Sequence, residues 1–250
     1  MATHDGVNCT RRDFLRIAGS VALLMASPGQ AVFAASPPGR APLKIATIGS
    51  GRIGGTLGTL WVQAGHPVMF SSRHPEQLKE MVDSLGPLAR AGTVEEAIAF
   101  ADVVLLAVPY RAMPQIGKDH GRALAAKALV LDATNPIPRR DGEIANWARE
   151  KGAGLASAEL LPGVRIVRAF NAIGYARLPE IAKRQGDPVG MPMAGDDANA
   201  NALASGLVRE IGFEPVVIGP LAMGKHLLPR TPLAGVRTPE EIRKIAATLD

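Results

Sequence analysis

A glycine-rich turn between a short apolar run and a helical pattern constrains this 250-residue chain more than any other feature. The apolar run Leu43–Ile48 predicts a buried strand, and the pattern over Ile53–Ala64 predicts a helix. Between them stand Gly49, Gly51 and Gly54, with the spacing G-x-G-x-x-G. In the order strand, turn, helix, this spacing indicates a site for the pyrophosphate of a dinucleotide. The alternative is an ordinary glycine-rich turn.

Each glycine of the turn has a separate predicted task. Gly49 permits the tight turn, Gly51 lets the backbone approach a pyrophosphate, and Gly54 lets the helix pack closely on the strand. The free N–H groups and the positive end of the helix would then face the phosphates. The predicted phosphate-binding residues are Gly49, Ser50, Gly51, Arg52, Ile53 and Gly54.

The end of the second predicted strand, Pro67–Phe70, bears on the choice of cofactor. It continues as Ser71-Ser72-Arg73, where an NAD-selective fold usually has an acid that binds the ribose 2′-hydroxyl. Two hydroxyls and a guanidinium suit a 2′-phosphate instead. These residues, with Lys79 of the following helix, therefore predict NADP(H) as the cofactor. The alternative is a solvated loop that carries an arginine by chance.

Two further apolar runs, at residues 102–108 and 128–132, predict strands of a parallel sheet that is covered on both faces. Ligands bind at the carboxyl ends of such strands. Val108, Pro109 and Tyr110 follow the first run and are predicted near the nicotinamide, with a plain proline turn as the alternative. Asn135 follows the second and is predicted either to bond the ribose or carboxamide or to shape the turn. Asp132 is predicted to accept hydrogen bonds from loop amides.

Residues 1–35 have the layout of an export signal. Arg11-Arg12 precedes the apolar segment Ile17–Ala26, and Val32-Phe33-Ala34 offers a small-residue cleavage site. This layout resembles the twin-arginine type and predicts a periplasmic protein, or a cytoplasmic one if the segment is not a signal. A retained helix or a membrane anchor is the alternative, but the apolar segment is short for a bilayer, so no stable membrane insertion of the mature chain is expected.

Composition and histidine spacing narrow the function classes. The formal charge is +5, but the basic residues are scattered, which indicates a solvated surface and no nucleic-acid partner. The histidines of the mature chain show no metal-ligand spacing, and no G-x-S-x-G motif is present. No metal site is predicted, and no catalytic residue is assigned.

The chain resembles the coenzyme F420-dependent NADP oxidoreductases. The resemblance rests on residues 48–54, 71–73, 107–110, 167–171, 195–197 and 218–221. It implies an α/β fold with a Rossmann-type, doubly wound, mostly parallel sheet and a small C-terminal lobe. The domains would be residues 43–155, which bind NADP, and residues 156–250, which bind the acceptor or substrate.

The resemblance also implies a reaction and an assembly. Hydride would pass between NADPH and a small-molecule redox acceptor, coenzyme F420 or a flavin-like ring, and the protein would be a homodimer. Ala169, Phe170 and Asn171 would wall the transfer pocket, with core packing as the alternative for Phe170. Two other functions stay open: a non-catalytic NADP-binding protein, and an NADPH-linked reductase of a small imine or carbonyl. The latter needs a proton donor, for which Tyr110 and Lys225 are the candidates.

Overall fold

The structure, a computed structural model, describes residues 41–249, so the predicted export signal at residues 1–35 lies outside the described residues. The strands in this range are β1 Ile45–Ile48, β2 Val68–Ser71, β3 Ala89–Gly92, β4 Val103–Leu106, β5 Leu129–Asp132, β6 Ile166–Arg168, β7 Val189–Gly195 and β8 Phe213–Gly219. The α-helices are α1 Arg52–Gln63, α2 Lys79–Leu85, α3 Val94–Phe100, α4 Met113–Ala125, α5 Pro138–Asp141, α6 Glu143–Lys151, α7 Ala153–Leu160, α8 Leu178–Ala182, α9 Ala198–Glu210 and α10 Pro239–Ala246. Short 3-10 helices cover Pro75–Leu78, Tyr110–Ala112, Tyr175–Arg177 and Leu221–Leu227.

The strands described form one sheet in the order β3-β2-β1-β4-β5-β6-β7-β8. All neighbouring pairs are parallel except β6 with β7, which is antiparallel. The strand order reverses between β1 and β4, which is the switch point where doubly wound sheets bind ligands. The predicted fold class is therefore confirmed.

Strands β7 and β8 belong to the region that was predicted as a C-terminal lobe. They extend the same sheet, and β7 pairs with β6 through Val167 opposite Gly195 and Arg168 opposite Ala194. A small apolar cluster that includes Leu233 and Ile242 packs beside them. The division of the chain at residue 155 stays a prediction.

Alternate residues of each central strand supply two cores, one on each face of the sheet. In β4, Val103 and Leu105 pack with α1 and α9, whereas Val104 and Leu106 pack with α3, α4 and α7. Trp61 of α1 is fully buried, and its indole N–H donates to the carbonyl of a residue in α9 at 3.1 Å. This alternation explains why the central strands read as continuous apolar runs.

Two helices begin with capping boxes in which both hydrogen bonds are present. Thr93 forms a capping box with Glu96 at the start of α3, and Thr238 does the same with Glu241 at the start of α10. In each box the threonine hydroxyl accepts from the backbone three residues on, and the glutamate accepts from the threonine N–H. Both helices therefore begin where the local sequence places them.

Candidate functional site

A cleft lies at the carboxyl ends of β1, β2 and β4, beside the switch point of the sheet. Its volume is about 680 Å³, which is within the range typical of ligand sites. It is lined by Ile48, Gly49, Ser50, Gly51, Ser71, Ser72, Arg73, Gln77, Leu78, Val94, Val108, Pro109, Arg111, Ala112, Gln115, Ile116, Asp119 and His120. The sequence-predicted residues from Gly49 to Gly51, from Ser71 to Arg73, and Val108 with Pro109 thus share one cleft.

The glycine turn has the geometry that the spacing predicts. Gly49 has a φ of +90°, a conformation that side chains with a Cβ rarely adopt. A Cβ on Gly54 would lie 2.2 Å from the carbonyl oxygen of Gly49, so only glycine lets α1 begin this close to the turn. A Cβ on Gly51 would meet no protein atom within 4 Å, so the backbone of Gly51 faces open space.

The N-terminus of α1 is free to receive an anion. Gly51 is its N-cap, no side chain caps the helix, and its first turn contains no acidic residue. Ser50 holds the turn through a contact of 2.9 Å between its hydroxyl and that of Thr47. Because uncapped N–H groups and the helix dipole both favour negative charge, this end of α1 suits a phosphate.

The end of β2 presents hydroxyls and a guanidinium to the cleft. Ser71 donates from Oγ to the Thr47 carbonyl at 3.0 Å, and the Ser72 hydroxyl accepts from the His74 N–H at 3.1 Å. Arg73 is exposed, and among residues 41–249 its guanidinium has no hydrogen-bond or ion-pair partner. A positive group with free donors therefore stands where the ribose 2′ substituent of a dinucleotide lies in this fold.

The far wall of the cleft comes from the 3-10 helix Tyr110–Ala112 and from α4, and sequence reasoning missed its polar side chains. Arg111, Gln115, Asp119 and His120 all line the cleft. Arg111 donates from Nη1 to the Arg140 carbonyl at 2.6 Å, and the Gln115 amide donates to Asp119 at 2.8 Å. The polar residues at one-turn spacing, 111, 115 and 119, are the only sequence signal that could have indicated this wall.

Several predicted cofactor residues lie outside the cleft lining. The Arg52 guanidinium lies over the Tyr175 ring, 5.4 Å from its centre. Lys79 pairs with Asp83 at 2.5 Å on the exposed side of α2. Ile53, in the first turn of α1, packs against the core at the back of the turn. Contacts between these side chains and a cofactor stay predictions.

Asn135, Ala169, Phe170 and Asn171 also lie outside the lining, on the loops that follow β5 and β6. Ala169 is fully buried and Phe170 is 1% exposed. The Phe170 ring packs edge-on between Trp61 and Phe213, which is the core packing considered as its alternative. The Asn135 amide donates to the Asn171 carbonyl at 3.1 Å, so the two loops are joined directly.

A buried polar network connects these loops with Tyr110. Asp132 accepts from the Thr134 N–H at 2.8 Å, as predicted for a loop-amide acceptor, and from the Ser157 hydroxyl at 2.7 Å and Arg168 Nη1 at 2.5 Å. Tyr110 is fully buried, with its hydroxyl 3.4 Å from that of Ser157. Burial raises the pKa of Tyr110 to about 12, an effect that the Ser157 hydrogen bond reduces.

NADP(H) fits the residues that the cleft presents. Gly51 leaves room beside an uncapped helix end, and the Arg73 side chain offers unused donors at the end of β2. The cleft thus has a place for a pyrophosphate and a place for a 2′-phosphate. Within residues 41–249 there is no group of three or more metal-ligating side chains, and no helix there is long and apolar enough to cross a membrane.

The fold and the cleft together define a Rossmann-type protein whose cleft lies where proteins of this fold bind a dinucleotide. Residues 44–136 match the family described as NADP oxidoreductase, coenzyme F420-dependent. Because the match covers β1 to β5, it contains the glycine turn, Arg73 and both walls of the cleft.

Two curated relatives are similar over most of the chain. Metalloreductase STEAP3 of Rattus norvegicus is 30% identical over 199 residues, which cover 77% of this chain and 37% of the relative. Glycerol-3-phosphate dehydrogenase [NAD(P)+] of Rhizobium etli is 27% identical over 202 residues, which cover 68% of this chain and 62% of the relative. The chain thus spans less than two thirds of the length of each.

Two solved structures share the fold. A hypothetical protein from Sinorhizobium meliloti is 26% identical with a TM-score of 0.62, and the match covers 80% of this chain and 96% of that protein. A protein from Arthrobacter sp. FB24, provisionally described as an F420-dependent NADP-reductase, is 20% identical with a TM-score of 0.64, covering 73% and 87%. Because the second protein is only 20% identical, its likeness to this chain shows a shared fold alone.

Proposed function

We propose that this protein transfers a hydride from NADPH to coenzyme F420 or a flavin-like ring. The observation that carries the proposal is the cleft itself, in which an acid-free strand end with the unpaired Arg73 stands beside an uncapped glycine turn. NADPH supplies the hydride when it is bound. The chain supplies hydrogen-bond donors for the phosphates on the adenosine side and a framework of buried loops on the other side.

The surroundings of the two candidate proton donors favour a ring acceptor over an imine or carbonyl. Reduction of an imine or carbonyl needs a proton donor within hydrogen-bond reach of the substrate. Tyr110 is fully buried and holds its proton strongly, since its pKa is raised to about 12. Lys225 is exposed, and neither residue lines the cleft. Hydride transfer between two rings depends chiefly on their close approach.

The experiment that tests the proposal is anaerobic oxidation of NADPH by the full chain with a panel of acceptors. The panel contains coenzyme F420, FMN, FAD, FMN with a ferric chelate, and a small cyclic imine. We expect turnover with the deazaflavin or a flavin and none with the imine, and we expect Arg73→Ala to raise the NADPH concentration that half-saturates the rate. NADPH binding without turnover on any acceptor would instead support a non-catalytic NADP-binding protein.

We also propose that the protein is exported already folded and that NADP(H) travels inside it. The support is the twin-arginine pattern at Arg11-Arg12 and the intracellular origin expected for the cofactor. Replacement of both arginines by lysine should retain the protein in the cytoplasm when cell fractions are compared. In the strain with both arginines intact, mass spectrometry should detect NADP(H) in the protein recovered from the periplasm. If the substituted and the unsubstituted protein were distributed in the same way between cytoplasm and periplasm, export by this route would be contradicted.

The resemblance to commonly dimeric oxidoreductases supports a proposal that the protein is a homodimer. Sedimentation equilibrium of the folded chain should give twice the mass expected for one copy, whereas a single-copy mass across the concentration range would contradict it.

A further inference from the structure

A fully buried ion pair joins the ends of β5 and β6. Arg168 and Asp132 are each 0% exposed, and Nη1 of the arginine donates to the carboxylate at 2.5 Å. Such pairs contribute little net stability, because removing both charges from water costs about as much as their attraction returns. The presence of this pair is therefore better explained by the loop conformation that it holds than by a contribution to stability.

The pair holds two loops at the carboxyl edge of the sheet. Arg168 also donates from Nη2 to the Thr134 carbonyl at 2.9 Å. The Asn171 amide donates to the same carbonyl at 2.9 Å and to the Asp132 carbonyl at 3.1 Å. Because the Asn135 amide donates to the Asn171 carbonyl, the loop after β5 and the loop after β6 are fixed as one unit.

One residue of this unit is strained. Phe170 has a φ of +66°, in the left-handed region that a bulky residue rarely adopts. Such conformations cost on the order of 1–3 kcal/mol and persist only where the surroundings enforce them. Here the aromatic contacts with Trp61 and Phe213 enforce the ring position. The Asn171 hydrogen bonds enforce the backbone on the other side, and strain held in this way is typical of functional sites.

The unit lies in the second half of the doubly wound sheet. In this fold β1 to β3 bind one mononucleotide and β4 to β6 bind the other. The cleft between Arg73 and the glycine turn serves the adenosine half, so the nicotinamide half falls to the ends of β4 to β6. The loop after β5 adjoins the end of β4 directly, since the Ala133 N–H donates to the Leu106 carbonyl at 3.0 Å.

Two amide oxygens on these loops are unused. Asn135 Oδ1 and Asn171 Oδ1 are buried, and neither has a hydrogen-bond partner among the described residues. A buried polar atom without a partner costs about 1–3 kcal/mol, so acceptors of this kind mark a place that a ligand can complete.

We propose that Arg168 is a positioning residue for the nicotinamide half of NADPH. Through Asp132 and the Thr134 carbonyl it holds the loops after β5 and β6 in the strained arrangement that receives the ring. This inference rests on the proposed function, because it presupposes that NADPH binds in the cleft.

The test separates the two halves of the cofactor by using two probes with the full chain. Calorimetry with 2′,5′-ADP reports the adenosine half alone, and the fluorescence of bound NADPH reports the environment of the nicotinamide ring. Arg168→Lys keeps the charge but replaces the planar guanidinium, whose Nη1 and Nη2 reach two different acceptors, by a single nitrogen. We expect about tenfold weaker NADPH binding and loss of the enhanced ring emission, with 2′,5′-ADP affinity unchanged within about twofold.

A matched control distinguishes positioning from stability. His66 Nε2 lies 2.6 Å from a carboxylate oxygen of the half-buried Glu210, near the amino ends of the strands, so Glu210→Gln should lower the melting temperature and leave both probes unchanged. Ser157→Ala removes one hydrogen bond from Asp132 and gives a smaller change in the same direction as Arg168→Lys, even if Arg168→Lys does not fold.

The outcomes separate this inference from the proposed function. Unchanged ring emission in Arg168→Lys, or in Ser157→Ala if the first variant is unfolded, would overturn the positioning role alone. An equal loss for NADPH and 2′,5′-ADP would also overturn it. Failure of the unsubstituted chain to bind NADPH would overturn both proposals.

Discussion

At the scale of single residues, we expect the choice between NADP and NAD to depend on Arg73. Its guanidinium has no partner among residues 41–249, and the residues beside it, Ser71 and Ser72, carry hydroxyls instead of a carboxylate. A charged hydrogen bond to a phosphate is worth about 1.5–3 kcal/mol, whereas a ribose 2′-hydroxyl offers no charge to pair.

Arg73→Ala should therefore weaken NADPH binding by about 10- to 150-fold and NADH binding by less than about twofold. Calorimetric dissociation constants for both nucleotides provide the measurement. Lys118→Ala is the matched control, because it removes an exposed cation from α4 that does not line the cleft. Equal losses for the two nucleotides in Arg73→Ala would show that the guanidinium does not contact the 2′ position.

The burial of Tyr110 has a consequence at alkaline pH. Burial raises its pKa from 10.0 to about 12, so the folded state favours the protonated phenol more than the unfolded state does. This contribution to the free energy of unfolding is fully present below pH 10 and is lost as the pH rises towards 12.

Tyr110→Phe should therefore lose less stability than the parent between about pH 10 and pH 12, where a full pKa unit corresponds to about 1.4 kcal/mol. Urea unfolding at a series of pH values measures the difference. If the free energy of unfolding fell equally with rising pH in both proteins, a raised phenol pKa would be contradicted.

The residues near the glycine turn could be predicted because they act through local spacing. The places of Gly49, Gly51 and Arg73 in the fold follow from the order strand, turn, helix, strand. The local sequence pattern indicates this order clearly. The pairing of Asp132 with Arg168 could not be predicted, because the residues are 36 positions apart and each sits at the end of an apolar run. Lys79 is a different case, because its partner Asp83 lies only one helical turn away in the sequence. The two side chains pair on the exposed side of α2.

At the scale of elements, the turn and the start of α1 form one unit in which neighbouring glycines do different things. A Cβ on Gly54 would collide with the Gly49 carbonyl at 2.2 Å, whereas a Cβ on Gly51 would point into open space. Gly51 also has a φ of −76°, which alanine adopts without strain.

Gly51→Ala should therefore fold normally and bind NADPH at least about tenfold more weakly, because the added methyl occupies the approach of the pyrophosphate. Gly54→Ala should lower the melting temperature, since α1 must shift away from the turn. Thermal melts and NADPH titrations of both variants make the comparison. Normal NADPH affinity in Gly51→Ala would contradict placement of the phosphates at this turn.

Elements with weak or unusual patterns escaped prediction. Strand β3 is short and includes the exposed Arg90. Helix α7 is built largely from small residues, and its glycine at position 154 packs so closely that a Cβ would lie 2.0 Å from the Leu221 carbonyl. Neither has the periodic contrast between apolar and polar residues on which sequence interpretation depends. The helices α3 and α10, by contrast, carry an explicit start signal in the sequence, a threonine followed three residues later by a glutamate.

At the scale of the whole molecule, the sheet divides into a predictable and an unpredictable part. Apart from β3, the order of the strands up to β6 follows from alternating strands and helices, because parallel crossovers of one hand build the doubly wound arrangement. The reversal at β7 has no sequence signal, since antiparallel pairing of β6 with β7 depends on which edge is free when the last strands dock. As a result, residues 189–219 extend the sheet beyond β6.

The most direct test of the central claim is a calorimetric titration of the folded chain with NADPH and, separately, with NADH. The account predicts saturable binding of NADPH at one site per chain, with at least about tenfold weaker binding of NADH. No heat or saturation with NADPH, or equal affinity for the two nucleotides, would contradict it.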